Sequence, residues 1–131
     1  MKDRKGQFIM NKNGKDFWGD SVWKAIHTFA AAYKPENELE FRAYIYSLTK
    51  LLPCESCREH LKRHLEKYPM DTYMRNNHDL FFWTYTLHHA VNESYNRDHP
   101  TSPHKRSPPY DVVKNMYWKA LGETCSDCKT Y

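Results

Sequence analysis

The sequence predicts an all-α protein, a four-helix bundle with a short fifth helix. Apolar residues recur at helical spacing in five separate segments, and a proline or glycine follows most of them. No alternating apolar–polar run is long enough to indicate a competing strand. With 131 residues, one compact domain that buries most of its unfolded surface is the default architecture.

Each predicted helix is defined by its apolar stripe and by the residue that ends it. The predicted helices span about residues 17–33, 38–52, 54–68, 77–96 and 111–121. Pro35, Pro53 and Pro69 follow the first three, and proline is poorly tolerated in a helix interior because it lacks a backbone donor. Gly122 is placed to end the fifth helix.

The chain divides into three segments. Residues 1–16 are polar and charged, and we expect a flexible arm. Residues 17–121 form the predicted domain, interrupted at 98–109 by a loop that holds four of the seven prolines. Residues 122–131 form a tail with its own pair of cysteines.

Composition argues against several classes of function. No apolar run approaches the roughly 20 residues that span a bilayer, and the polar N-terminus does not resemble a secretory signal. We therefore expect a soluble protein without a membrane partner. The formal net charge of +4 is spread among acidic residues, which favours a solvated surface over a nucleic-acid partner.

All four cysteines fall in two CxxC pairs, Cys54/Cys57 and Cys125/Cys128. A framework of structural disulfides would spread its cysteines along the chain, whereas paired CxxC units indicate redox chemistry or zinc binding. The first pair follows Pro53 and opens a helix, where unpaired N–H groups favour a thiolate. Cys54 should then be the exposed partner, and Cys57 should face the bundle interior.

Zinc remains an alternative at this point. Cys57, His60 and His64 share one helical face, so together with Cys54 they form a conceivable zinc set. Their spacing is not that of a zinc finger, and one rigid helix would hardly wrap four ligands around one ion. Surface histidines are the simpler interpretation, and we expect no metal.

Two polar or aromatic pairs lie on other helices. His88 and Asn92 are four residues apart on the fourth helix, beside Tyr95, and Trp23 and His27 are four apart on the first. Polar groups on apolar faces need hydrogen-bond partners. These pairs either bond to neighbouring helices or line, with the CxxC, a cleft for a planar polar cofactor.

Three motifs in order carry a resemblance to a known family. They are Trp23-x-x-x-His27-Thr28-x-Ala30-Ala31-x-Tyr33, then Pro53-Cys54-x-x-Cys57, then Trp83-x4-His88-x-x-Val91-Asn92. Over about residues 17–97 the chain resembles the Erv/ALR family of FAD-dependent sulfhydryl oxidases. Its small size resembles the stand-alone viral members, which would imply the host cytoplasm or the virion as its compartment.

The resemblance implies FAD held within the bundle, with the flavin against the CxxC. Cys57 would be the cysteine next to the flavin, and Cys54 would exchange electrons with clients. The cofactor-binding residues that the resemblance implies are Trp23, His27, Tyr33, Cys57, His88, Asn92, Tyr95, Arg97 and Trp118.

The implied activity is oxidation of protein dithiols to disulfides, with electrons passing through the CxxC and flavin to O2 and giving hydrogen peroxide. Cys125 and Cys128 resemble a shuttle disulfide that relays electrons to Cys54. A homodimer and thioredoxin-like protein clients are the implied partners. The competing hypothesis is a non-catalytic zinc-binding interaction module that uses both CxxC pairs. A thioredoxin-like reductase is disfavoured because no βαβ pattern surrounds the CxxC.

The sequence departs from the family pattern on the first and fourth helices. Asp20 stands where cellular members usually have Arg, and His89 replaces an Asn. Tyr85 stands where cellular members have a cysteine of a structural disulfide. The proline-rich loop has no counterpart that can be placed.

Overall fold

The computed structural model describes residues 14–124, and within that range all regular secondary structure is helical. The all-α prediction is confirmed. Five α-helices follow one another along the chain: α1 Gly14–Ala31, α2 Glu38–Leu51, α3 Glu55–Lys67, α4 Asn77–Asp98 and α5 Tyr110–Thr124. Short 3₁₀ turns at Pro35–Asn37 and Asp71–Tyr73 precede α2 and α4. None of these helices combines the length and the apolar character that crossing a membrane requires.

The core forms where α1 packs along α4, with α2 and α3 against each other and α5 laid on α1. The apolar stripe of α4 supplies its centre, because Leu80, Phe81 and Leu87 are fully buried and Trp83 nearly so. Burial of an apolar side chain of this size contributes on the order of 2 kcal/mol. The same α1–α4 contact positions the polar residues described below.

Side-chain hydrogen bonds fix the ends of the helices. Asn76 caps α4 by accepting the N–H of Asp79 at 2.8 Å. The indole of Trp83 donates to the carbonyl of Tyr68, just past the end of α3, at 2.8 Å. The Trp83 contact sets the position of α4 relative to α3.

Two predicted boundaries differ from the structure by three residues. Helix α1 begins at Gly14, so the last residues assigned to the flexible arm are helical, while residues 1–13 lie outside the described part. Helix α5 continues through Gly122 to Thr124. Gly122 does not have the left-handed backbone of a C-terminal glycine cap, so it does not end the helix as predicted.

Residues 99–109, called the strap below, connect α4 to α5 without regular structure. The strap returns along α4 and is joined to it by hydrogen bonds. Asn96 of α4 makes two of these with the backbone of Lys105, at 2.8 and 2.9 Å. The strap therefore forms part of the surface of the bundle.

Candidate functional site

The CxxC lies at the start of α3, as its sequence position predicts. Cys54 is the N-cap, its sulfur accepts the backbone N–H of Cys57 at 3.2 Å, and the two cysteines form a disulfide. The side chain of Arg58 donates to the carbonyl of Leu52 at 2.5 Å and so holds the preceding loop to the helix. We call Cys54 and Cys57 the cysteine edge.

Both sulfur-bearing residues are half-buried, but they face different surroundings. Cys57 lines a cavity of about 370 Å³, and Cys54 does not. Cavities of this size are typical of small-molecule and cofactor sites. The disulfide thus presents Cys57, and not Cys54, to a ligand-sized space. The assignment of Cys54 as the exposed partner stays a prediction, because both cysteines are half-buried.

A wall of aromatic and polar side chains from α1 and α4 also borders the cavity. The rings of Trp23 and His88 stack with centroids 4.1 Å apart and planes 7° from parallel. Behind them, His27 is 3% exposed and is hydrogen-bonded to His88 and Thr84 at 3.0 and 2.9 Å. We call Trp23, His27, Thr84 and His88 the histidine wall.

The hydrogen bonds of the histidine wall assign its protons. The hydroxyl of Thr84 donates to the carbonyl of Phe81 at 2.7 Å, so at His27 it can only accept, from Nδ1–H. Nε2 of His27 then accepts from Nδ1–H of His88. This order leaves Nε2 of His88 with a lone pair, which is the acceptor that a ligand with an N–H or O–H group would need.

Both histidines are neutral at pH 7. Burial lowers the pKa of His27 to about 3, and the neighbouring His88 adds to that shift. Burial also lowers the pKa of His88 to about 4, although the carboxylate of Asp20 acts in the opposite direction. Because both histidines stay neutral, the same ring nitrogens donate and accept hydrogen bonds throughout the physiological pH range.

The cavity is enclosed by α1, α2, α3, α4 and the strap. Leu48 and Leu52 form part of its apolar side, and the cationic side chains of Lys15, Lys105 and Arg106 lie on its border. The carboxylates of Asp16 and Asp20 line the cavity as well, and Asp16 pairs with Lys105. An apolar space with charged groups of both signs suits a flat ligand that also carries polar and anionic groups.

The structure brings together most of the residues proposed from the sequence. Trp23, Cys57, His88, Asn92 and Tyr95 line the cavity, and His27 supports His88 from behind. Asn92 is buried and donates to the hydroxyl of Ser107 in the strap at 3.1 Å.

Three proposed cofactor-binding residues lie outside this cavity. Tyr33 is buried past the end of α1, where its hydroxyl donates to the carbonyl of Met74 at 2.8 Å, so its role here is structural. Arg97 is exposed and contacts Ser94. Trp118 packs edge-on against Phe81, with centroids 5.1 Å apart, because α5 covers α1 on a different side.

Sequence reasoning missed or undervalued several residues of the site. His60 and His64 line the cavity beside Cys57. His60 is also exposed and His64 half-buried, so the surface interpretation holds for His60 and is incomplete for both. Their position on the same helical face as Cys57 was the available signal. Lys105 and Arg106 carried no such signal, since the strap reaches the cavity only by folding back on α4.

Metal ligation finds no support in the described part of the chain. Between residues 14 and 124, no group of three or more His, Cys, Asp or Glu side chains is arranged to hold a metal ion. Cys54 and Cys57 are bonded to each other, which occupies the sulfurs of the conceivable zinc set. Cys125 and Cys128 lie outside the described residues.

The fold and the site define a helical bundle with a CxxC disulfide at the edge of a ligand-sized cavity. The sequence model of the Erv1/Alr family matches residues 20–118, about three quarters of the chain, and the chain belongs to that family. The predicted family is therefore confirmed.

Named relatives come from viruses, fungi and a plant. The FAD-linked sulfhydryl oxidase ERV2 of Saccharomyces cerevisiae is 30% identical over 106 residues, which cover 75% of this chain and 53% of ERV2. A protein of Acanthamoeba polyphaga mimivirus named as a probable FAD-linked sulfhydryl oxidase is 32% identical over 80 residues, 57% of this chain and 56% of its own. The chain spans about half the length of these curated relatives.

Proposed function

We propose that the protein is an FAD-dependent thiol oxidase that forms disulfides in protein substrates. The observation that carries this proposal is the placement of the disulfide. Cys57 lines a cavity of about 370 Å³, and its disulfide partner Cys54 does not. A dithiol substrate can therefore approach one sulfur while a bound cofactor meets the other. The relatives named above as FAD-linked sulfhydryl oxidases support the same activity.

The residues around the cavity fit FAD. The stacked rings of Trp23 and His88 offer a flat surface for an aromatic ring system. Lys15, Lys105 and Arg106 offer positive charge for a diphosphate. Nε2 of His88 offers an acceptor, and Asn92 adds a polar side chain to the same wall.

The chain's own chemistry is thiol–disulfide exchange. A substrate thiolate attacks Sγ of Cys54 and forms a mixed disulfide, and Cys57 leaves as a thiolate. The second substrate thiol then attacks the mixed disulfide, which releases the oxidised substrate and a reduced Cys54/Cys57 pair. Bound FAD would accept the two electrons of this dithiol and return them to O2, giving hydrogen peroxide.

The start of α3 favours the leaving thiolate. Cys57 is the third residue of the helix, within the first turn, where unpaired backbone N–H groups and the helix dipole stabilise negative charge. A lower thiol pKa makes Cys57 a better leaving group during the exchange. The local fold of the cysteine edge therefore serves the reaction that we propose.

We infer further that Cys125 and Cys128 act as a shuttle disulfide between protein clients and Cys54, and that the protein works as a homodimer. The support is the CxxC spacing and the family membership. Thioredoxin-like proteins are candidate clients. Cys125→Ser should leave turnover of a small dithiol intact and slow turnover of a reduced protein, as measured by oxygen uptake. Equal losses on both substrates would contradict the shuttle role.

Cofactor content tests the main proposal. The purified chain should retain FAD, appear yellow and consume oxygen when a dithiol is added, with one hydrogen peroxide formed per disulfide. A colourless protein that contains stoichiometric zinc and shows no oxygen uptake would overturn the proposal in favour of a zinc-binding module.

A further inference from the structure

The strap is held to α4 by a row of polar side chains. Tyr85, His89, Asn92 and Asn96 follow one another at intervals of four, three and four residues, so they lie along one face of the helix. Tyr85 donates to the carbonyl of Pro108 at 2.5 Å, and His89 lies 2.9 Å from the hydroxyl of Ser107. Asn92 bonds to the same hydroxyl, and Asn96 holds the backbone of Lys105.

Docking of the strap places cations at the cavity. The two hydrogen bonds from Asn96 fix the backbone of Lys105, whose ammonium lies 2.9 Å from the carboxylate of Asp16 and 4.8 Å from the ring centroid of Tyr95. Lys15 lies over the same ring at 5.6 Å. With Arg106, three cations border a cavity that the carboxylates of Asp16 and Asp20 also line.

We propose that the strap is a clamp for the diphosphate of FAD, with Lys105 and Arg106 as the residues that bind it. This inference rests on the proposed function. An ammonium and a guanidinium together suit a diphosphate, because both donate charge-assisted hydrogen bonds to phosphate oxygens. Asp16 holds Lys105 beside the cavity when no anion competes for it. The four prolines already restrict the backbone of the strap, so the strap loses less conformational entropy when it closes on the diphosphate.

The clamp makes recognition of the phosphates separable from recognition of the flavin ring. Dissociation constants would be measured by fluorescence titration for FAD, for riboflavin, which has the ring alone, and for ADP, which has the diphosphate alone. Lys105→Gln and Arg106→Gln should each weaken FAD and ADP by about tenfold and change riboflavin by less than about twofold. Lys114→Gln, a cation of α5 outside the cavity, is the matched control and should change none of the three.

A second variant tests the docking itself. Asn96→Leu removes both hydrogen bonds to Lys105 and should reproduce the selective loss of FAD and ADP. The strap proposal is overturned if both charge variants bind FAD as the wild type does, or if riboflavin weakens as much as FAD. A wild-type chain that binds neither FAD nor riboflavin would instead contradict the proposed function.

Discussion

The two sides of the cavity are built in opposite ways. The cysteine edge lies on the first turn of α3, half-buried, and its local geometry comes from residues within a few positions of one another. The histidine wall joins α1 to α4 through side chains 57 and 61 residues apart in sequence, and His27 and Thr84 are almost completely buried. The reactive group thus lies where a large substrate can reach it, and the polar wall lies where the bundle is most tightly packed.

Because the cysteine edge and the histidine wall are built differently, mutations should separate the loss of thiol oxidation from the loss of cofactor binding. Changes at the cysteine edge should remove activity and spare the fold. Changes in the histidine wall should weaken both the fold and the retention of flavin, because buried polar groups lose their partners.

Cys57→Ser should produce the largest effect. Without its sulfur, the edge has no disulfide to exchange, so thiol-dependent oxygen uptake should fall roughly a thousandfold or more, as is usual when a nucleophile of the reaction is removed. Flavin content should remain that of the wild type. Oxygen uptake and flavin absorbance on the same sample measure both.

Glu66→Gln is the control for that experiment, since Glu66 lies exposed on the same helix and does not line the cavity. Its activity should match the wild type. Substantial thiol oxidation by Cys57→Ser would mean that the cysteine edge is not the reacting group.

His27→Phe should have an intermediate effect. The change leaves Nδ1–H of His88 without its acceptor, which should cost about 1–3 kcal/mol in the free energy of unfolding. That loss lowers the melting temperature by several degrees for a chain of this size. Flavin affinity should weaken as well, because His88 is no longer held in one orientation.

A double-mutant cycle sharpens the test. Thr84→Val and His27→Phe together should cost less than the sum of the two single changes, since they remove both members of one hydrogen bond. His104→Gln, an exposed histidine of the strap, should be neutral. Strict additivity would show that the histidine wall does not act as a connected network.

Acidification should lower the free energy of unfolding only slightly near pH 7 and progressively more at lower pH. The pKa of His27 is about 3 and that of His88 about 4 in the fold, below the ordinary value of 6.5, so the unfolded chain binds more protons between those limits. Stability is therefore fully present above about pH 6.5 and falls with acidification, by about 1.4 kcal/mol per pH unit for each histidine.

Thermal melts at about pH 7.5 and about pH 5 measure that slope. His27→Phe should flatten it, because one of the two depressed histidines is gone. A slope that is unchanged in the variant would mean that other groups control the acid sensitivity of the fold.

The sequence was sufficient to predict the features that depend on residues close to one another in the chain. Helical spacing and the prolines defined the four main helices, and Pro53 before Cys54 located the cysteine edge. It failed where a role depends on packing between distant segments. The hydroxyl of Tyr33, for example, bonds to a carbonyl 41 residues away. Gly122 is a separate case: α5 continues past it although no other segment of the described chain lies within 4 Å of where its Cβ would be.

The strap shows the same limit of prediction from the sequence. Nothing in its composition indicates that it folds back along α4, because that path depends on polar groups spread over three turns of another helix. Lys105 joins the cavity only as a consequence of that docking.

Anaerobic reduction of the bound flavin tests the central claim most directly. A dithiol added without oxygen should bleach the visible absorbance of FAD in the wild-type chain, and readmitted air should restore it. In Cys57→Ser the absorbance should persist. A wild-type chain whose flavin stays oxidised in excess dithiol would contradict the account, since Cys57 would then not connect thiols to the cavity.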